Sequence, residues 1–297
     1  MSSTGSAFLD AVLNGRVNTP EEWAEYTAAF HRDHPEANEL FTLLLTPSRF
    51  TSYEMLAAAI ARHPCESILD LGCGDGNLVD PLREACGSEA SILGIDSCDR
   101  EIELARARYS DDKNVRFECG DAYALECPSE SFDVVVSHQC LNFALSPEKL
   151  LAEAARVLKP GGWILTAINR GWRHDRENTW VYLDQAAQAA LRSMYPNFVW
   201  PRMGDKRMYE VETIREIFAA SDALDDSSLT IEEYRTGAFM TPQHIAAVYN
   251  RLYLYGSIPQ RTPIHEAVIA RARELADPRN LVEVDLPFRL ISVRKRA

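Results

Sequence analysis

Five short apolar runs punctuate the middle of the chain, near residues 67–71, 90–96, 114–119, 132–138 and 162–168. All are too short for helices and are read as strands; four are near-continuous apolar runs that predict burial on both faces, whereas 114–119 alternates polar and apolar residues. Between them, stretches near 77–86, 98–109 and 146–158 space their apolar residues three and four apart, the helical period. Gly161-Gly162 is read as the end of the last of these helices. Strand and helix in alternation predict a doubly wound, mostly parallel sheet with helices on both faces. A helix over about 49–62 leads into the first strand.

The flanks follow another pattern. Residues 1 to about 46 predict two or three helices. One opens at Pro20 behind Asn18 or Thr19 as cap, and Trp23, Tyr26, Thr27 and Phe30 share one of its faces. Another covers 35–45, before Thr46-Pro47-Ser48 breaks the chain. The stretch 171–208 is rich in Trp, Arg and polar residues and has no clean period, so it is read as an insertion. Then come a helix over 210–221, a strand over 229–234, helices over 241–255 and 263–276, and a final strand over 282–294. The expected organisation is a helical extension over 1–48, followed by a sheet domain over 49–297 with insertions near 171–208 and 238–280.

The chemistry concentrates where the first strand ends. Ile68-Leu69-Asp70-Leu71-Gly72-Cys73-Gly74-Asp75-Gly76 is a strand running into a turn with three glycines, followed by a helix. Glycine permits positive φ and lets a ligand lie against bare backbone, and the helix start beyond it offers unpaired N–H groups. About twenty residues on, the second strand ends at Asp96. A carboxylate at that distance suits a ribose diol, accepting two charge-assisted hydrogen bonds.

These residues resemble the class I S-adenosylmethionine-dependent methyltransferases. Asp70-x-Gly72-x-Gly74-x-Gly76 is similar to the family's first motif, with one-residue gaps unlike the G-x-G-x-x-G of dehydrogenases. Asp96 matches the ribose-binding acid, Phe117 to Ala122 the third motif, and Phe132 to Leu141 the fourth. Leu150 to Gly162 resembles the helix and turn that follow. The resemblance covers residues 49–170 strongly and 210–297 in outline. It implies a Rossmann-like seven-stranded sheet with its last strand antiparallel. It also implies S-adenosyl-L-methionine as methyl donor, S-adenosyl-L-homocysteine as product, and no metal.

By the same resemblance, Gly72, Gly74 and Gly76 pass against the donor and Asp70 helps hold its amino group. Asp96 takes the ribose hydroxyls, and Ser97 or Cys98 lies against the adenine. Asp121 accepts from the adenine amino group while the Ala122 N–H donates to the ring, and the Ser137 carbonyl nears the methionine amine. His138 follows the fourth strand and is either a general base or a packed strand-end residue. Gln139, Asn142, Asn169, Arg170 and Trp172 are candidates for orienting a substrate. Arg49 or Tyr53 could reach the donor's carboxylate. Trp23, Tyr26, Phe30, Tyr53, Trp172, Trp180, Trp200 and Tyr209 form the aromatic pool from which a substrate pocket would draw.

Departures from family patterns narrow the reaction. His138-Gln139-Cys140-Leu141 lacks both the Asn/Asp-Pro-Pro-Tyr/Phe of exocyclic-amine DNA methyltransferases and the Pro-Cys of cytosine-C5 enzymes. What remains is methyl transfer to O, N or C of a small molecule, as in secondary metabolism. The alternative is the same fold catalysing a cyclisation or isomerisation with the donor retained, and a protein or RNA substrate ranks behind both. The 297-residue chain carries a net charge of −13, which argues against nucleic acid as a partner. It has no apolar run of membrane-spanning length and no signal-peptide pattern at its start, so a cytoplasmic enzyme is expected. Its 7 cysteines, all between Cys65 and Cys140 and none in a C-x-x-C pair, read as reduced thiols. The insertions could equally cover the pocket or form a homo-oligomer interface.

Overall fold

The computed structural model describes residues 5–34, 37–170 and 178–297. In chain order, helices α1 (Gly5–Leu13), α2 (Pro20–Asp33), α3 (Leu40–Leu43) and α4 (Ser52–Ile60) precede the first strand. There follow β1 (Ser67–Leu71), α5 (Val79–Cys86), β2 (Ser91–Asp96), α6 (Asp99–Arg108), β3 (Val115–Cys119) and β4 (Phe132–His138). Next are α7 (Pro147–Val157), β5 (Leu158–Asn169), α8 (Thr179–Met194), α9 (Val211–Ala219) and β6 (Leu224–Met240). The described chain ends with α10 (Pro242–Tyr249), α11 (Tyr253–Ser257), α12 (Thr262–Leu275) and β7 (Val282–Lys295).

The strands form one seven-stranded sheet in the order β3-β2-β1-β4-β5-β7-β6. β1 lies parallel between β2 and β4, and β5 continues the parallel run on β4. β7 is antiparallel to β5, pairing Ala167 with Leu290 and Asn169 with Phe288. This is the Rossmann-like sheet with a reversed last strand that the motifs imply. The strand order turns outward in both directions from β1 and β4. Such a switch point opens a crevice beyond the carboxyl ends of the parallel strands.

The chain divides into two compact units. The sheet unit comprises residues 48–170, 204–235 and 287–297. Its strands are the buried runs expected: Ile68, Leu69, Val134, Val135, Val136, Leu165 and Ile168 are all at most 1% exposed. Leu150, Leu151, Ala154 and Val157 put one face of α7 into the same core as Leu69, Val135 and Ile164. Each such aliphatic side chain contributes about 1.5–3 kcal/mol on burial. At the amino ends of the strands, Asp133 accepts from the Ser67 N–H (2.9 Å), the Ser67 hydroxyl (2.7 Å) and Lys159 Nζ (2.7 Å). Asp133 therefore pins the starts of β1 and β4, far from the carboxyl-end crevice.

The helical unit comprises 1–47, 171–203 and 236–286. In α2, Thr19 and Glu22 form a reciprocal capping box with Pro20 in the first turn. Phe8 stacks on Tyr26 at 4.0 Å and packs against Trp23, and Phe30 meets Tyr253 at 4.8 Å. Asn178 caps α8 through the Trp180 N–H, and Tyr255 donates to Asp184 at 2.6 Å. Trp23, Tyr26, Phe30 and Trp180, each at most 4% exposed, thus build this unit's own core.

Several element expectations need correction. α7 stops at Val157, before Gly161-Gly162, because Lys159 precedes Pro160 and is steered out of the helical region. Leu158 is already extended and pairs with Phe132, so β5 starts there and Gly161 (φ +76°) turns within it. The insertion without a period contains the sixteen-residue α8. Its buried positions Trp180, Leu183, Ala187 and Leu191 do follow helical spacing; flanking polar residues masked the pattern. The helix expected over 35–45 is reduced to a 3₁₀ turn at Ala37–Glu39 and the four-residue α3, with Pro35 and Glu36 outside the described residues. The helix expected over 241–255 is broken into α10 and α11, and the strand over 229–234 extends to Leu224–Met240.

Candidate active site

The three-glycine turn follows β1 directly. Gly72, Gly74 and Gly76 have φ of +70°, +53° and +85°, a region that side chains disfavour. A Cβ at Gly72 would lie 2.6 Å from Cys140 Cβ, so the loop is also closed sterically at that point. α5 begins at Val79, two residues later than expected, because Gly76 to Leu78 complete the turn; Asn77 bonds Asp75 at 2.5 Å.

Asp96 organises the surroundings of this loop. One carboxylate oxygen accepts from the Gly74 N–H at 3.0 Å, the other from the Cys98 N–H at 2.9 Å, and its carbonyl accepts from the Gly120 N–H at 3.0 Å. The end of β2 therefore ties together the glycine turn, the start of α6 and the loop after β3. Each carboxylate oxygen keeps acceptor capacity beyond its single N–H. Asp70 is 2% exposed, and burial together with the charge of Asp96 pushes its carboxyl up to about 7.

The remaining donor-side candidates lie along the same edge. Ser97 is exposed beyond β2 and its carbonyl is met by Cys119 Sγ. Asp121 is exposed and accepts from the Tyr123 N–H at 2.8 Å, capping its own turn. Ala122 packs against the sheet core. The Ser137 hydroxyl pairs with Thr166 across β4 and β5 at 2.8 Å. Arg49 is exposed at positive φ (+67°), whereas Tyr53 is buried. Burial, followed by the charges of Asp75 and Asp70, raises the Tyr53 phenol, while a bond to Asn77 opposes the shift. That phenol therefore reaches the glycine turn.

His138 closes β4. Its ring stacks on Tyr53 at 4.0 Å, Nε2 pairs with the Ser52 hydroxyl at 2.8 Å, and Phe288 lies 5.9 Å away. Burial lowers its pKa to about 3. The ring is therefore neutral and far from the pKa near ambient pH that general-base catalysis favours. Its stacking on Tyr53 and its bond to Ser52 are the surroundings of a packed strand-end residue.

Gln139 adopts φ +60° and receives a 2.7 Å bond from Asn169 Nδ2. Asn142 is 1% exposed in the turn after β4, and its Oδ1 has no hydrogen-bond partner among the described residues. Arg170 is paired with Glu233 at 2.9 Å, and the buried Arg289 bonds the same carboxylate at 2.9 Å and the Tyr209 carbonyl at 2.6 Å. Trp172 lies outside the described residues. Sequence reading missed Ser52, Glu233, Tyr234, Phe288 and Arg289. All except Ser52 come from β6 and β7, where no motif marks them. Ser52 carried one faint signal, its place inside the Thr51/Glu54 capping box that starts α4.

Residues 69–166 match the methyltransferase-domain family. Together with the sheet order and the glycine turn, this match supports reading residues 69–166 as a class I S-adenosylmethionine-dependent methyltransferase domain. The chain is 34% identical over 128 residues to a 27-O-demethylrifamycin SV methyltransferase of Amycolatopsis mediterranei, covering 42% of this chain and 46% of that protein. It is 30% identical over 132 residues to a malonyl-[acyl-carrier protein] O-methyltransferase of Marinomonas sp., covering 44% and 48%. The chain thus spans a little under half the length of these relatives. A solved phosphoethanolamine N-methyltransferase 2 of Haemonchus contortus, in complex with phosphomonomethylethanolamine and S-adenosylhomocysteine, shares the fold. Its TM-score is 0.54 at 18% identity, over 93% of this chain and 61% of that one. Among the described residues, no helix is long and apolar enough to cross a membrane, and no three metal-ligating side chains converge.

Proposed function

We propose that this protein transfers a methyl group from S-adenosyl-L-methionine to an oxygen or nitrogen of a small molecule. The observation that carries the reading is the glycine turn at the end of β1, with positive φ at 72, 74 and 76, bonded through the Gly74 N–H to Asp96. These residues suit the donor: a bare-backbone cradle, a carboxylate with spare acceptor capacity for a diol, and a buried carboxyl at Asp70 for a cation. When bound, the donor supplies a methyl group on a sulfonium, already a good leaving group.

The chain's own contribution is then mainly positioning, which can supply effective molarities of order 10⁵ M or more. Asp96 takes the ribose hydroxyls and Asp70 faces the ammonium. Gly72 and Gly76 set the backbone against the donor, and the Ser137 carbonyl accepts from its amine. Ser97, Asp121 and Ala122 border the adenine. His138 acts by holding Tyr53 against the turn, and the acceptor's proton leaves to solvent. Gln139, Asn142 and Asn169 flank the acceptor. The rifamycin methyltransferase among the relatives favours a small-molecule acceptor.

Calorimetric titration of S-adenosylmethionine and S-adenosylhomocysteine into the purified chain tests this reading. Micromolar binding of both is expected. No binding of either to the folded protein would overturn it.

A further inference from the structure

Two thiols of the sheet unit stand against each other. Cys65 lies in the loop before β1 and Cys86 is the last residue of α5; both are free and half-buried. The fold brings them together at the amino end of β1. β1 pairs with β2 from Ser67 on Ser91, and the Ser91 N–H also donates to the Glu66 carbonyl at 2.8 Å. The connection between α5 and β2 doubles back on the helix. The Gly87 N–H donates to the Arg83 carbonyl at 3.1 Å, and the Arg83 guanidinium holds the carbonyls of Ser88 and Ala90, the latter at 2.8 Å. The last turn of α5 is thereby fixed beside the chain that enters β1. There the Cys86 thiol is in hydrogen-bond contact with the Cys65 thiol. Burial, together with that contact, raises the Cys86 thiol, so the pair rests protonated and reduced.

Two sulfurs in contact are within side-chain rotation of an S–S bond. Such a bond would close residues 65–86 into one loop that contains β1, the three-glycine turn and the whole of α5. It would lie at the opposite end of β1 from the glycine turn. A cross-link of this kind stabilises chiefly by removing conformations from the unfolded chain.

We propose that Cys65 and Cys86 are a redox-responsive pair that a hydroperoxide converts to a disulfide, stapling the strand, turn and helix built around the three glycines. Hydrogen peroxide oxidises one thiol to a sulfenic acid; its O–O bond breaks and one water leaves. The second thiol displaces the sulfenic oxygen as another water, and the S–S bond forms. The two thiols together lose two electrons and two protons, and the peroxide takes up both. A dithiol reductant reverses the change.

The test treats the full chain with hydrogen peroxide, maps its cysteines by tandem mass spectrometry under non-reducing conditions, and compares thermal melts of the reduced and oxidised protein. A Cys65–Cys86 linkage is expected, with a rise in melting temperature of about 5 °C that dithiothreitol abolishes. Cys86→Ser, oxidised alike, should show no rise. Free thiols at both positions after oxidation, or linkage of either to a different cysteine, would overturn the proposal. A Cys65–Cys86 linkage with no change in melting would overturn the staple. The comparison of the oxidised and reduced forms of the unsubstituted protein does not depend on any variant folding.

Discussion

The two halves of the sheet's carboxyl edge are built from opposite materials. On the β2–β1–β4 side the surface is backbone and carboxylate: three positive-φ glycines, Asp70 and Asp96. On the β5–β7–β6 side stand packed rings and neutralised charge, with Tyr234, Phe288 and the Glu233 pair of arginines. A polar ligand with a cation and a diol suits the first half. His138 and Tyr53 stand where the two halves meet.

If the glycine half is set by backbone geometry, Gly72→Ala should be the most damaging single change. It combines left-handed strain of about 1–2 kcal/mol with overpacking against Cys140 of about 1–3 kcal/mol. Chemical denaturation should register a loss of this combined size, together with abolished donor binding. Adding Cys140→Gly should recover the overpacking share only; full recovery would mean that φ does not matter there. Asp96→Ala should weaken donor binding at least tenfold, as loss of a charge-assisted bond of about 1.5–3 kcal/mol requires. Calorimetry of the donor checks this, and an unchanged affinity would remove Asp96 from the ribose role.

pH separates the halves further. Asp70, raised to about 7, is half protonated near neutrality. A cationic donor favours its ionised form, so donor affinity should climb as pH rises from 6 to 8, by at most tenfold per unit. Asp70→Asn should flatten the profile.

For folding, the signs of Asp70 and His138 oppose each other. Asp70 holds its proton more tightly folded than unfolded, so its contribution to stability declines as pH rises from about 4 to 7. His138 resists protonation when folded, so its contribution is lost as pH falls from about 6.5 towards 3, by about 1.4 kcal/mol per unit. Between pH 4 and 6.5 these two contributions therefore oppose each other. Thermal melts of His138→Gln should then show stability rising as pH falls across that window, and a flat response would mean that His138 carries no such shift. The smallest effect belongs to Arg170→Ala, since its pair with Glu233 is partly exposed: under about 1 kcal/mol.

Legibility divides along the same line. The glycine turn, Asp96 and the order of buried strands were readable because each requirement is local: a positive φ wants glycine, and a strand buried on both faces wants an unbroken apolar run. α8 escaped because polar residues around a buried stripe blur a helical period, and the end of α7 was misplaced because a glycine pair outweighed the proline before it. His138 was legible as a position but not as a chemistry, since a histidine at a strand end is a base or a packed ring according to what surrounds it. That surrounding comes from Tyr53, Ser52 and Phe288, which are distant in sequence.

The sequence by itself determined the fold class, the cradle and the carboxylate beside it, because those depend on backbone conformation and on motifs within one strand and its following turn. Only the tertiary structure decided that Arg170 is spent on Glu233, that His138 is neutral, and that Tyr234 ends a row of four rings with a hydroxyl unpaired among the described residues. Each of those facts is a contact or a burial between segments distant in sequence. Solvation and pairing at such sites are properties of the packed neighbourhood and leave no local pattern to read.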